Sequence, residues 1–153
     1  MAVYFLDSSA LVKRYAQETG STWIELLTAP PAGHHFYLAR ITAVEVVAAV
    51  ARRQRGGAFS TAEATAALAD FADDLAYQYR QVDITSRLIT QAIELAKTYA
   101  LRGYDAIQLA AVLTVHVARE VQGLSRLTLV SADHELNAAA VAEGLLVDDP
   151  NLH

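Results

Sequence analysis

The amino-acid sequence predicts an α/β fold, a three-layer α/β/α sandwich around a central parallel sheet. Short apolar segments alternate with longer helix-like segments along the whole chain. The short segments, such as Val3–Leu6, are apolar in succession, which indicates strands buried on both faces. Strands and helices in alternation favour a parallel sheet covered by helices. Residues 1–153 are expected to form one domain, because a chain of this length buries roughly 70% of its unfolded surface.

The first half of the chain contains two predicted strands and four predicted helices. Ser8 or Ser9 can cap the first helix, and Pro30 follows the end of the second. Gly56 and Gly57 form a turn between the third and fourth helices. The strands are Val3–Leu6 and His35–Leu38, and the helices are Ser9–Ala16, Thr19–Thr28, Thr42–Arg55 and Ser60–Tyr77.

The second half continues the alternation with three strands and three helices. Gly103 breaks the chain before the sixth helix, and Gly144 ends the seventh. The predicted strands are Arg80–Ile84, Leu127–Val130 and Leu145–Val147, and the helices are Thr85–Tyr99, Tyr104–Arg119 and His134–Glu143.

Composition limits the classes of function. The formal net charge is −5, so binding to nucleic acid has to depend on local basic patches or on a metal ion. The absence of cysteine excludes disulfides and thiolate-ligated metals, and fits a reducing, cytoplasmic compartment. No charge-free run of about 18 apolar residues appears, and the first apolar residues meet Asp7 too early for a signal peptide. Neither a membrane span nor secretion is therefore expected.

Four acidic residues lie where a predicted strand or loop passes into a helix. Each has a structural interpretation by itself, because helix N-termini favour carboxylates through free N–H groups and the helix dipole. Glu45 completes a capping-box pattern with Thr42, and Asp133 can cap the helix that begins at His134. The four residues are Asp7, Glu45, Asp105 and Asp133.

Considered together, the four acids predict a metal site. The carboxyl ends of parallel strands meet at one edge of the sheet, where α/β proteins place their ligands. Carboxylates gathered there repel one another unless a cation is present. Oxygen ligands without cysteine or paired histidine favour Mg²⁺ or Mn²⁺ over Zn²⁺. Such an ion suits phosphodiester hydrolysis, because it lowers the pKa of a bound water and offsets charge on the attacked phosphate.

Four motifs in order resemble the PIN-domain ribonucleases, and most closely the VapC-type toxins of toxin–antitoxin pairs. The resemblance runs from Val3 to Pro150. Its motifs are VYFLDSSALVKRY, TAVEVVAAVAR, YDAIQLAAVL and LVSADHELNAAAVAEGLLVDDP.

The resemblance implies a Mg²⁺- or Mn²⁺-dependent endoribonuclease whose catalytic and metal-binding residues are Asp7, Glu45, Asp105 and Asp133. The first three would hold one ion, and Asp133 a second, weaker ion or a bridging water. Ser8 and Ser131 would support the acids by hydrogen bonds. Asp148 is left outside the ligand set, since it has an equally good role in the terminal turn.

The resemblance also implies partners: an RNA substrate, a small antitoxin protein that shields the acidic site, and a second copy in a homodimer. Basic residues near the acids are candidates for RNA contact, although each also fits an ordinary helix surface. They are Lys13, Arg14, Arg52 and Arg53.

Other classes fit less well. A P-loop motif is absent, and a haloacid-dehalogenase-type phosphatase requires an acid where Ser9 stands. A non-catalytic PIN-like scaffold that binds RNA or protein stays as the alternative. All four acids are present, which favours an active enzyme.

Overall fold

The structure, a computed structural model, describes residues Met1–His153 as five strands and seven helices. The strands are β1 (Val3–Leu6), β2 (His35–Ala39), β3 (Tyr79–Val82), β4 (Thr128–Val130) and β5 (Leu146–Asp148). The helices are α1 (Ser8–Tyr15), α2 (Ser21–Thr28), α3 (Arg40–Arg55), α4 (Thr61–Tyr77), α5 (Ser86–Tyr99), α6 (Gly103–Val121) and α7 (His134–Ala142).

All strands pair in parallel, in the order β3-β2-β1-β4-β5. The chain builds the sheet outward from β1 through β2 to β3, and then crosses to the other side for β4 and β5. The strand order therefore reverses between β1 and β4, where Leu6 pairs with Val130. Ligand sites of open α/β sheets lie beyond the strand ends at such a reversal.

Two apolar clusters cover the two faces of the sheet and confirm the predicted three-layer sandwich. Phe5 and Leu129 point into the cluster shared with α5, α6 and α7, whereas Leu6 and Val130 point into the cluster shared with α1 to α4. This alternation follows from the period of two along a strand. No helix in the chain is both long and apolar enough to pass through a lipid bilayer.

Two of the predicted helix caps are wrong. Helix α3 begins at Arg40, so Thr42 lies inside the helix and Glu45 in its second turn, and the predicted capping box is absent. Thr42 is fully buried, and its hydroxyl bonds to Gln108 on α6 instead. Helix α1 is capped by Asp7, whose carboxylate accepts from the backbone N–H of Ala10, and by neither of the serines that follow it.

The capping box at the start of α4 provides a test of local stability. Ser60 Oγ accepts from the N–H of Glu63 at 3.1 Å, and Glu63 Oε2 accepts from the N–H of Ser60 at 2.7 Å. Ser60→Ala should lower the free energy of unfolding by about 1 kcal/mol in urea titrations, since one cap is lost. Ser60→Asp should retain most of the stability, and equal midpoints for wild type and Ser60→Ala would contradict the assignment.

Candidate active site

The structure brings the four predicted acids to one cavity of about 310 Å³ beyond the ends of β1 and β4. Asp7 directly follows β1, and Asp133 lies three residues after Val130 at the end of β4. Glu45 reaches the cavity from α3, and Asp105 from the first turn of α6. The other lining residues are Ser8, Ser9, Val12, Ala49, Arg52, Arg53 and Tyr104.

Asp7 is the most enclosed of the four acids, with 2% of its surface exposed. Its Oδ1 accepts from Ser9 Oγ at 2.7 Å and from the N–H of Ala10 at 3.0 Å, and its Oδ2 accepts from Ser131 Oγ at 3.1 Å. Burial raises the pKa of Asp7 to about 6, since its hydrogen bonds offset only part of the lost hydration and the charge of Asp133 raises it further. Asp7 is thus held in place but carries its charge at a cost.

Asp105 and Asp133 differ in their structural roles. Asp133 caps α7, because its Oδ1 accepts from the N–H of Leu136 at 2.8 Å, as its structural interpretation predicts. Asp105 lies in the first turn of α6, three residues after Arg102. Arg102 occupies the capping position, and no side chain caps this helix. Burial raises the pKa of Asp105, and the charge of Asp133 adds to the effect. Asp105 therefore does not serve as a cap, and its charge is unfavourable in the metal-free protein.

Two serines hold Asp7 and connect it to the β4–α7 loop. Ser131 acts as predicted: its Oγ bonds Asp7 and accepts from the N–H of Asp133 at 3.1 Å. The second hydroxyl belongs to Ser9, which also accepts from the N–H of Ala132 at 2.9 Å. Ser8, which was predicted to support the acids, makes no hydrogen bond to any of them; it lines the cavity and lies beside the Tyr104 phenol.

The donor set fits a hard divalent cation in its chemistry, since all four acids offer oxygen. No three acidic or histidine side chains, however, lie close enough together to enclose an ion. Mutual repulsion of unpaired carboxylates favours such separation. Burial is the main cause of the raised pKa values of Asp7 and Asp105, and the charge of Asp133 adds to it. The side chains must therefore draw together to bind a metal. Asp148 does not line the cavity and bonds His153 instead.

Two of the four basic residues that were predicted to contact RNA, Lys13 and Arg14, do not line the cavity. Lys13 is buried, and its ammonium group bonds Glu18 at 2.9 Å and the carbonyl of Thr19 at 2.7 Å. Arg14 bonds Asp74 and Thr28 on another surface of the molecule. Both side chains are therefore engaged by residues that do not line the cavity.

Arg52 and Arg53 do line the cavity. Arg53 is held by Glu18, with Nη2 2.7 Å from Oε2. Arg52 is exposed and makes no side-chain hydrogen bond or ion pair within the chain. It is therefore the free cation at the rim of the acidic cavity.

Sequence and structure comparisons place the chain among known proteins. The sequence model described as PIN domain matches residues 4–142. Ribonuclease VapC45 of Mycobacterium tuberculosis is 34% identical over 148 residues, which cover 96% of this chain and 95% of that protein.

Two solved structures share the fold. PAE2754 from Pyrobaculum aerophilum has a TM-score of 0.62 at 20% identity, covering 95% of this chain and 89% of that chain. A toxin–antitoxin complex from Klebsiella pneumoniae has a TM-score of 0.61 at 15% identity, covering 96% of this chain and 97% of that chain. The family model and the VapC45 match span most of the residues that form the sheet and its acidic cavity. This chain therefore belongs to the PIN domain family and, within it, to the VapC-type ribonucleases.

Proposed function

We propose that this protein is a metal-dependent endoribonuclease that hydrolyses RNA phosphodiester bonds, and that it acts as the toxin of a toxin–antitoxin pair. The observation that carries the proposal is the meeting of four carboxylates, from four separate chain segments, at the point where the strand order reverses. Helix capping alone does not require these segments to converge. Membership of the VapC-type ribonucleases supports RNA as the substrate.

The resemblance to the PIN-domain ribonucleases suggests the roles of the acids. Asp7, Glu45 and Asp105 would hold one Mg²⁺ or Mn²⁺, and Asp133 would hold a second, weaker ion or a bridging water. Ser9 and Ser131 fix the carboxylate of Asp7 from both sides. A bound divalent ion lowers the pKa of a coordinated water and offsets negative charge on the attacked phosphate. Above about pH 6 Asp7 is ionised and ready to bind a cation.

The regulation and assembly of the protein are part of the same proposal. A small antitoxin that covers the acidic cavity would keep such a ribonuclease inactive in its own cell. One fold neighbour was itself solved as a toxin–antitoxin complex. We propose a cytoplasmic protein that forms a homodimer and binds such an antitoxin.

A nuclease assay with and without chelator tests the enzymatic claim. The purified protein should cut single-stranded RNA in Mg²⁺ or Mn²⁺, lose this activity in EDTA, and regain it when excess Mg²⁺ is added. Cleavage that persists in EDTA would contradict the metal mechanism. RNA binding without cleavage in either metal would favour the non-catalytic scaffold.

Arg52 provides a prediction about substrate affinity. Arg52→Ala should raise KM for RNA several-fold with little change in kcat, since the side chain attracts phosphate without touching the reacting atoms. The slope of log affinity against log salt should fall by about 0.7, the value for one phosphate of a single strand. Arg55→Ala, an exposed arginine on the same helix outside the cavity, is the matched control. Equal effects of the two substitutions would mean that Arg52 contributes only net charge.

A further inference from the structure

Gln108 is a fully buried polar residue in an otherwise apolar stretch of α6. Its Nε2 donates to two hydroxyl oxygens, Thr42 Oγ1 on α3 at 2.8 Å and the Tyr104 phenol at 2.8 Å. Its Oε1 has no partner within the chain. A buried amide that leaves one oxygen unpaired is costly for stability, and an apolar residue of equal volume would pack at this place without that cost.

The partners of Gln108 lie on the same helices as two of the four acids, Glu45 and Asp105, and within one turn of them. Thr42 precedes Glu45 by three residues on α3, and Gln108 follows Asp105 by three residues on α6. Residues three apart share one face of a helix. Tyr104 directly precedes Asp105 and also faces Ser8, the neighbour of Asp7. The bridge from Gln108 to Thr42 therefore joins the two helices at the turns that carry Glu45 and Asp105.

We propose that Gln108 is a positioning residue, which sets the separation of Glu45 and Asp105 by holding Thr42 on α3 and Tyr104 on α6. The inference rests on the proposed function, because it assigns Gln108 an effect on the metal site. A chain of hydrogen bonds from a rigid, buried amide restrains distance and orientation more narrowly than apolar contact does. The two N–H groups of Gln108 donate to the hydroxyl oxygens of Thr42 and Tyr104, so both oxygens act as acceptors.

Gln108→Met tests the proposal, since methionine has nearly the same length and volume but no N–H donor. We expect Mn²⁺ affinity, measured by isothermal titration calorimetry, to fall at least about 10-fold, as for other residues that orient metal ligands. The rise in melting temperature on adding Mn²⁺ should shrink accordingly, while the metal-free protein keeps a cooperative unfolding transition. Gln78→Met is the matched control, because Gln78 donates to Asp74 far from the cavity.

A second variant keeps the test decisive if Gln108→Met does not fold. Thr42→Val preserves shape and removes only the hydroxyl, so it severs the same bridge from α3 and should weaken Mn²⁺ binding similarly. The double variant should bind Mn²⁺ with the same affinity as the single variant that binds it less tightly. Both substitutions break the same hydrogen bond between Gln108 and Thr42, so their effects should not add.

The outcomes separate the two claims. Wild-type Mn²⁺ affinity in Gln108→Met, or in Thr42→Val if Gln108→Met does not fold, would overturn the positioning role while leaving the nuclease intact. A wild-type protein that neither binds Mn²⁺ nor cuts RNA would overturn the proposed function itself.

Discussion

Asp7→Asn is expected to abolish RNA cleavage and, at pH 8 without divalent ions, to make the protein more stable. The folded-state pKa of Asp7 is about 6, against an ordinary value of 3.8. The folded state therefore favours protonated Asp7. The contribution of this group to the free energy of unfolding is fully present below about pH 4 and is lost as pH rises through 6. At 1.36 kcal/mol per pKa unit, a shift of this size means that ionised Asp7 lowers the free energy of unfolding by about 3 kcal/mol above pH 6. Asparagine removes the ionisation and retains an oxygen that can cap α1.

Thermal melts of wild type and Asp7→Asn at pH 5 and pH 8 in chelated buffer measure this effect. The variant should gain more over wild type at pH 8 than at pH 5, and cleavage in Mg²⁺ should fall at least about 100-fold. Asp149→Asn is the control, because Asp149 is a buried carboxylate that caps a short turn away from the cavity. A variant less stable than wild type at pH 8 would mean that Asp7 serves mainly as a helix cap.

Asp105→Asn should also lower the rate of RNA cleavage at least about 100-fold. Its free energy of unfolding should equal or exceed that of wild type. The carboxylate caps no helix, its pKa is raised by burial, and it stands near the charge of Asp133. Removal of its charge therefore relieves repulsion in the metal-free state. Chemical denaturation and the nuclease assay measure the two effects.

The neighbouring acid gives the contrast for this prediction. Asp133→Ala should lower stability by about 1 kcal/mol, because it removes a real cap from α7. A comparable loss of stability in Asp105→Asn would indicate that Asp105 serves the helix rather than the metal.

The order of elements and the meeting of the acids were predictable because both follow from local signals. Short apolar strands and the residues next to them can be recognised along the chain, and a parallel sheet brings their ends to one edge. The meeting of Asp7 and Asp133 needed only this rule. Which of two adjacent hydroxyls reaches Asp7 depends on the first turn of α1, and Ser9 rather than Ser8 follows from Asp7 being the cap.

Tertiary contacts explain the predictions that failed. Helix α3 starts after Ala39 without a side-chain cap, because packing on the sheet replaces the usual local signal. Thr42 thus appeared as a cap, although it bonds a residue 66 positions away. Arg14 resembles a solvated cation in the sequence, but its partner Asp74 lies 60 positions away. Patterns within a few residues carry no information about such pairs.

Diffraction from crystals soaked in Mn²⁺, recorded at the manganese absorption edge, tests the central claim most directly. The account predicts an anomalous peak in the cavity about 2.1 Å from carboxylate oxygens of Asp7 and Asp105, with Glu45 drawn towards it. A peak bound elsewhere, or a cavity without one at saturating Mn²⁺, would contradict the claim that these acids form a metal site.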